Sequence, residues 1–289
     1  MAITAAMVKE LRERTGLGMM DCKAALTEAG GDMELAIEEL RKRSALKAAK
    51  KAGRTTADGL LGIKVAEDGS RGAIVEVNIE TDFAAKNQKF VDFVGEVLAA
   101  VYDGREDDVA KLVAGELEAK REALVQEIGE NITVRRAALL GAGDGFVTFY
   151  LHGDNRKGTL VELSSPNEEL GRDLAMHVTA IAPMVVESSG VPADVLAKER
   201  EIYASQAEAS GKPAEIVEKM VEGRVRKFLA EVSLVDQPFV KDPDVKIGKL
   251  LSDAGVECRG FVRFEVGEGI EVEQTDFAAE VAAQVSGAE

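Results

Sequence analysis

The residue types that most often perform chemistry are sparse in this chain. His152 and His177 are its only histidines. Neither has a second histidine at the short spacing of a zinc site, so no metal ligand set is expected. Cys22 and Cys258 stand far apart, which argues against a CxxC site or a disulfide framework and fits a reducing compartment. No GxxxxGK[ST] phosphate loop occurs. Gly141-Ala142-Gly143-Asp144-Gly145 lacks the strand-then-helix setting of a dinucleotide fingerprint and reads as a turn. There are 52 Asp and Glu residues, but spacing marks no pair as a general acid and base. Action by binding another protein is better supported than covalent catalysis, and no catalytic residue or cofactor is expected.

One short motif does stand out. Thr81-Asp82-Phe83-Ala84-Ala85 recurs as Thr275-Asp276-Phe277-Ala278-Ala279. The plainer reading is helix capping, in which Thr or Asp accepts a backbone N–H and Phe starts the apolar face. The other reading is a rigid projecting wedge, a Phe ring backed by a carboxylate at the start of a helix. Pattern alone favours capping. Asp82 is expected to be held by the backbone N–H groups of that helix.

Charge narrows the partners. The 289 residues carry a net charge of −16, which opposes general nucleic-acid binding. Residues 1–54 hold 11 Lys/Arg and 8 Asp/Glu, a net of +3, which leaves −19 for the rest. Residues 41–54 contain seven basic residues and no acid. They are expected as a solvated linker after a helix, with contact to an acidic partner or RNA as the sharper alternative. No run of 18 apolar residues suggests a membrane span. Lys9, Glu10, Arg12, Glu13 and Arg14 interrupt any signal-peptide core, and a cytoplasmic location is expected.

The elements that would position the motif follow from periodicity. Hydrophobic residues make up 46% and aromatics 4% of the chain, so aliphatic cores rich in Ala, Val and Leu are expected, in an α+β fold. Residues 4–43 predict three short helices, with Thr4 and Asp32 as N-caps and Met33, Leu35, Ala36, Ile37 and Leu40 buried. Such a bundle resembles a ubiquitin-associated domain. Residues 61–65 and 73–79 predict a hairpin across Asp68-Gly69-Ser70. A helix capped by Thr81 and Asp82 then runs through Phe90, Val94, Val97 and Val101. The pattern recurs as strand 146–151, a turn at Gly153-Asp154-Asn155, strand 158–163 and helix 167–181. Arg71 to Val77 aligns without gaps on Lys157 to Leu163, so the two halves read as a duplication. Between them lie a helix over 116–129 and a strand over 132–140. Residues 187–232 predict two antiparallel helices joined by Ser210-Gly211-Lys212-Pro213. Strands over 233–235 and 258–266, a helix over 245–254 and an amphipathic helix over 275–285 complete the chain. The expected units are 1–55, 56–140, 141–186, 187–232, 233–268 and 269–289.

Val8-Lys9-Glu10-Leu11-Arg12-Glu13-Arg14-Thr15-Gly16 and Gly18-Met19-Met20-Asp21-Cys22-Lys23 closely resemble bacterial translation elongation factor Ts. So do Thr81-Asp82-Phe83, Ala175-Met176-His177-Val178, Gly211-Lys212-Pro213, Glu218 to Arg224, Gln237-Pro238-Phe239-Val240 and Phe264 to Gly269, in order along the whole chain. The resemblance implies a ubiquitin-associated-like N-terminal domain, two duplicated α+β core halves with antiparallel sheets, an inserted coiled-coil hairpin and a C-terminal helical module. It also implies a guanine nucleotide exchange factor that binds elongation factor Tu and releases its GDP, with no covalent catalysis. Thr81, Asp82, Phe83 and Ala84 would disturb the partner's magnesium site. His152 would meet the partner's third domain. Arg12, Met19, Met20 and Lys23 would face its GTPase domain. The plainer reading of Met19 and Met20 from their residue type is a buried loop anchor, and one of them is expected to be that. Two rival classes stay open at this point: an adaptor, for example ribosome-associated, and an enzyme with an unrecognised carboxylate site.

Overall fold

The computed structural model describes residues 3–141, 143–208 and 213–271. The expected helix over 275–285 lies outside them, as do Ser210, Gly211 and Lys212 of the hairpin turn.

Three helices open the chain: α1 (Ala5–Thr15), α2 (Met19–Glu28) and α3 (Met33–Lys51). Thr4 Oγ1 accepts from Met7 N–H, and Asp32 accepts from Leu35 N–H. Gly16 ends α1 in the left-handed region at φ 72°, where a Cβ would be strained. Val8, Leu11, Leu17, Cys22, Leu26, Ala36 and Leu40 form the bundle core. Leu35, expected inside, is exposed.

The basic stretch is not a free linker. α3 continues through it to Lys51, with Ser44 and Ala48 buried. Lys, Arg and Ala are good helix formers, and the two small buried residues let α3 lie close against α7 (Glu116–Ile128). Ser44 Oγ donates to Gln126 Oε1 at 2.8 Å, and Ala48 belongs to the main core. The bundle is therefore joined to the rest by a helix that serves both.

The first half contains β1 (Asp58–Val65), β2 (Gly72–Ile79), α4 (Asp82–Ala85), α5 (Gln88–Gly104), α6 (Val109–Leu112), α7 and β3 (Ile132–Leu140). The single helix expected after Thr81 is broken. α4 is one turn, and Asn87 caps α5 afresh by accepting from Lys89 N–H. The second half contains β4 (Phe146–Leu151), β5 (Lys157–Leu163), α8 (Glu168–Ile181), and, after an excursion, β6 (Pro238–Phe239), β7 (Asp242–Lys246), α11 (Ile247–Ala254) and β8 (Cys258–Glu265). The excursion is a pair of packed helices, α9 (Ala193–Glu208) and α10 (Ala214–Val232), closed by Leu196, Tyr203, Val217, Val221 and Val225. Ser233 to Val235, expected as a strand, instead leads into a 3-10 turn over Leu234–Asp236, with one parallel bridge from Ser233 to Val185.

Two antiparallel three-stranded sheets result, β1-β2-β3 and β4-β5-β8. They are related as the sequence alignment of β2 with β5 implies. The ladder slips between Glu76 and Val77 in one sheet and between Glu162 and Leu163 in the other, at aligned positions. The sheets share an apolar layer of Leu61, Ile74, Val147, Leu160, Phe264 and Val266. Their far faces are covered by α5 and α7 in one half and by α8 and α11 in the other. β2 is consequently buried along its whole length. Close approach needs Gly72 and Gly158: a Cβ at Gly72 would stand 2.9 Å from Val147 Cγ1, and one at Gly158 2.8 Å from Ile63 Cδ1.

That layer also holds Glu76, wholly buried. Arg135 Nη1 and Arg136 Nε donate to it at 3.0 and 2.5 Å, and Gly267 N–H at 2.9 Å. Burial pushes its carboxyl up, but these donors outweigh burial and hold it below the usual range.

Candidate protein-binding surface

β2 ends at Ile79, and the chain must turn there to begin the helical layer. Thr81 is extended (φ −128°, ψ 153°), and its Oγ1 accepts Ala84 N–H at 3.2 Å, capping α4. The same hydroxyl donates to Glu130 Oε1 at 2.8 Å, and Thr81 N–H donates to Glu130 Oε2 at 3.0 Å. Ala84 and Ala85 are buried in the main core. Phe83 faces outward at 85% exposure, more than any other large apolar side chain among the described residues. Capping and projection therefore do not compete: Thr81 does the first, and Phe83 is left for the second.

Asp82 does not supply the cap. Its exposed carboxylate accepts from Lys86 Nζ at 2.9 Å, one turn along. That bond holds its carboxyl below the usual carboxylate range, with the backbone N–H of Phe83 and then Arg156 adding smaller pulls in the same direction.

His152 stands in the β4–β5 turn with Nδ1 2.9 Å from Asp154 Oδ1. Asn155 closes the turn in the left-handed region at φ 56°. The turn lies against β1, since Leu61 N–H donates to Asn155 O at 2.8 Å and Arg156 pairs with Asp58. Asp58 is opposite Ile79 in the hairpin ladder. The His152 turn and the Thr81 turn thus share one edge of the molecule.

Arg12, Met19, Met20 and Lys23 line one groove with Ile3 and Val8, between α1 and α2. Met19 and Met20 are 60% and 76% exposed. Neither anchors the loop; Leu17 does, buried after the left-handed turn at Gly16. Lys89, in the first turn of α5, pairs with Glu127 and reaches Gly16 O at 3.5 Å. It connects this loop to the helix that follows the Thr81 turn.

Lys86 was legible as an i,i+4 partner of Asp82. Glu130 was not: it lies 49 residues from Thr81, and no local pattern links them. Among the described residues no group of three or more His, Cys, Asp or Glu is gathered as for a metal ion. His177 is a buried structural imidazole. Its Nε2 lies 2.9 Å from Gln237 Oε1, and Val240 N–H donates to Nδ1 at 3.2 Å. Burial pushes its pKa down, opposed by the Gln237 bond.

The family described as Elongation factor TS matches residues 80–268. The Elongation factor Ts of Hahella chejuensis is 59% identical over 286 residues, 99% of each chain. The chain belongs to the elongation factor Ts family. The Elongation factor Ts proteins of Saccharophagus degradans and Methylococcus capsulatus are 59% and 56% identical, each over 99% of both chains. The likeness to elongation factor Ts therefore includes the N-terminal bundle and the α9–α10 hairpin. No helix among the described residues is long and apolar enough to cross a membrane.

Proposed function

We propose that this chain is a guanine nucleotide exchange factor for elongation factor Tu, acting in the cytoplasm during translation elongation, with no covalent step of its own. The observation that carries this reading is Phe83: a large apolar ring, 85% exposed, on a turn whose backbone is gripped from both sides. An aromatic ring has few rotamers to lose, so inserting it between two helices of a partner is cheap in entropy. Thr81, Asp82, Phe83 and Ala84 form the segment that displaces the partner's magnesium ligands. His152, on the same edge, meets a second part of the GTPase. The groove of Arg12, Met19, Met20 and Lys23 holds the GTPase domain, with Met side chains that adapt to an apolar surface and basic residues at its rim.

The rest of the protein serves that grip. The N-terminal bundle is a ubiquitin-associated-like docking unit. The α9–α10 hairpin is a coiled-coil arm that exchange does not need, and the C-terminal residues form a helical module. The GTPase alone holds GDP and Mg2+. The factor prefers the nucleotide-free state, so each ligand weakens the other by the same factor, and no acid or base is required.

Stopped-flow release of fluorescent GDP from purified elongation factor Tu tests this. Addition of the chain accelerates release in a saturable way. An unchanged rate at saturation overturns the proposal, and ribosome co-sedimentation with no effect on release would point to an adaptor.

A further inference from the structure

We infer that Glu130 is a positioning residue for Phe83, an inference that rests on the exchange reading above. α4 has only four residues. A single helical turn does not hold its own shape, because its first hydrogen bond fixes several dihedral angles at once. The direction of the Phe83 ring must be set from outside the turn. Below it, Ala84 and Ala85 are buried. At its start, a chain of bonds runs from Ala84 N–H to Thr81 Oγ1 (3.2 Å) and from that hydroxyl to Glu130 Oε1 (2.8 Å). Thr81 N–H takes the second carboxylate oxygen at 3.0 Å. With the hydroxyl proton committed to Glu130, the Oγ1 lone pairs are turned towards Ala84. Bonds to an ionised carboxylate are the strong kind, so the cap geometry depends on Glu130.

Glu130 is itself fixed. Gly129 ends α7 in the left-handed region at φ 87°, and its carbonyl accepts from Lys51 at the end of α3. Asn131 N–H donates to Glu80 Oε1 at 2.5 Å, and Asn131 Nδ2 donates to Arg54 O at 3.0 Å. Residues 129–131 are therefore pinned by the end of α3 on one side and hold Thr81 on the other. The helix that carries the N-terminal bundle and the turn that carries Phe83 share one fixed point.

The test uses full-length Glu130→Ala, Glu130→Gln, Phe83→Ala and the Glu130→Ala/Phe83→Ala double variant. GDP release from elongation factor Tu is followed to saturation, so that the maximal rate is separated from the half-saturating concentration, and the melting temperature of each variant is measured. Glu130→Ala lowers the maximal rate by about tenfold, as expected when charged hydrogen bonds are lost. Glu130→Gln, which keeps one acceptor oxygen, lowers it less. In the Phe83→Ala background the further loss falls below about twofold, because no ring is left to orient. A purely structural role would instead give the same loss in both backgrounds, and that result overturns the inference. So does a parental maximal rate in Glu130→Ala when Phe83→Ala is slow. If Glu130→Ala melts early, the same comparison is made with Glu130→Gln. A parental rate in Phe83→Ala overturns the wedge and this inference together, whereas failure confined to Glu130 leaves the wedge standing.

Discussion

Replacing Phe83 with Ala separates surface function from fold more cleanly than any other single change here. The ring is 85% exposed, so its removal takes almost no apolar area from the folded core. The stability change should stay within about 0.5 kcal/mol, as for surface sites in general. Thr81, Ala84 and Ala85 keep the turn as it is. On the partner, burying a phenylalanine is worth roughly 1.5–3 kcal/mol, about tenfold to hundredfold in a rate or equilibrium constant. Phe90 is the matched control: it is wholly buried in the core beside the same turn, and Phe90→Ala should cost about 3–5 kcal/mol. Thermal unfolding and stopped-flow release of fluorescent GDP are run on both variants. Phe83→Ala should melt like the parent and accelerate GDP release from the GTPase far less. Phe90→Ala should melt early, with its release per folded molecule much less affected. A sharp drop in melting for Phe83→Ala, with normal release per folded molecule, would refute the reasoning.

Glu76→Ala should cost about 3–5 kcal/mol, because Arg135 and Arg136 would lose a buried partner; denaturant unfolding measures it. The folded pKa of Glu76 is depressed, so its contribution is full above the ordinary value of 4.5 and is lost as pH falls towards the lower folded value. An acid titration of stability should be shallower in Glu76→Gln. The pKa of His177 is also depressed, so the unfolded chain takes up a proton first; stability should begin to fall below about pH 6.5, and His177→Gln should lack that component. Gly72→Val should cost at least about 1–3 kcal/mol by pushing the sheets apart at Val147 and Leu160, and unchanged stability would show that the layer can yield. Deleting residues 1–54 removes Ala48 from the main core and Lys51 from the end of α7, so it should lower the melting temperature, whereas deleting residues 1–40 should leave cooperative unfolding intact. Replacing residues 192–230 with a short Gly/Ser loop should keep most exchange activity, since Met184 N–H to Val232 O and the Val185–Ser233 bridge close the base of the hairpin.

The sequence by itself determined most of the local structure. Strands Ile132–Leu140 and Phe146–Leu151 fall where alternation and turn residues place them, because a period of two and a glycine turn are local signals. The caps Thr4 and Asp32 were legible for the same reason. The order of the halves followed from the match of 71–77 to 157–163. Tertiary structure decided the rest. The basic stretch after Leu40 carries only Ser44 and Ala48 as buried positions, and two small residues leave no apolar stripe to read; α7 decides that this stretch is packed helix. Leu17, rather than Met19 or Met20, anchors the loop because the left-handed turn at Gly16 points it inward. β2 is buried on both faces because a second sheet covers the side that water would otherwise meet. At the candidate binding surface, residue types and spacing singled out Thr81, Asp82 and Phe83. The Asp82–Lys86 pair is local, one helical turn apart, but which residue caps and which stays exposed was fixed by contacts across the fold, above all by Glu130, 49 residues away.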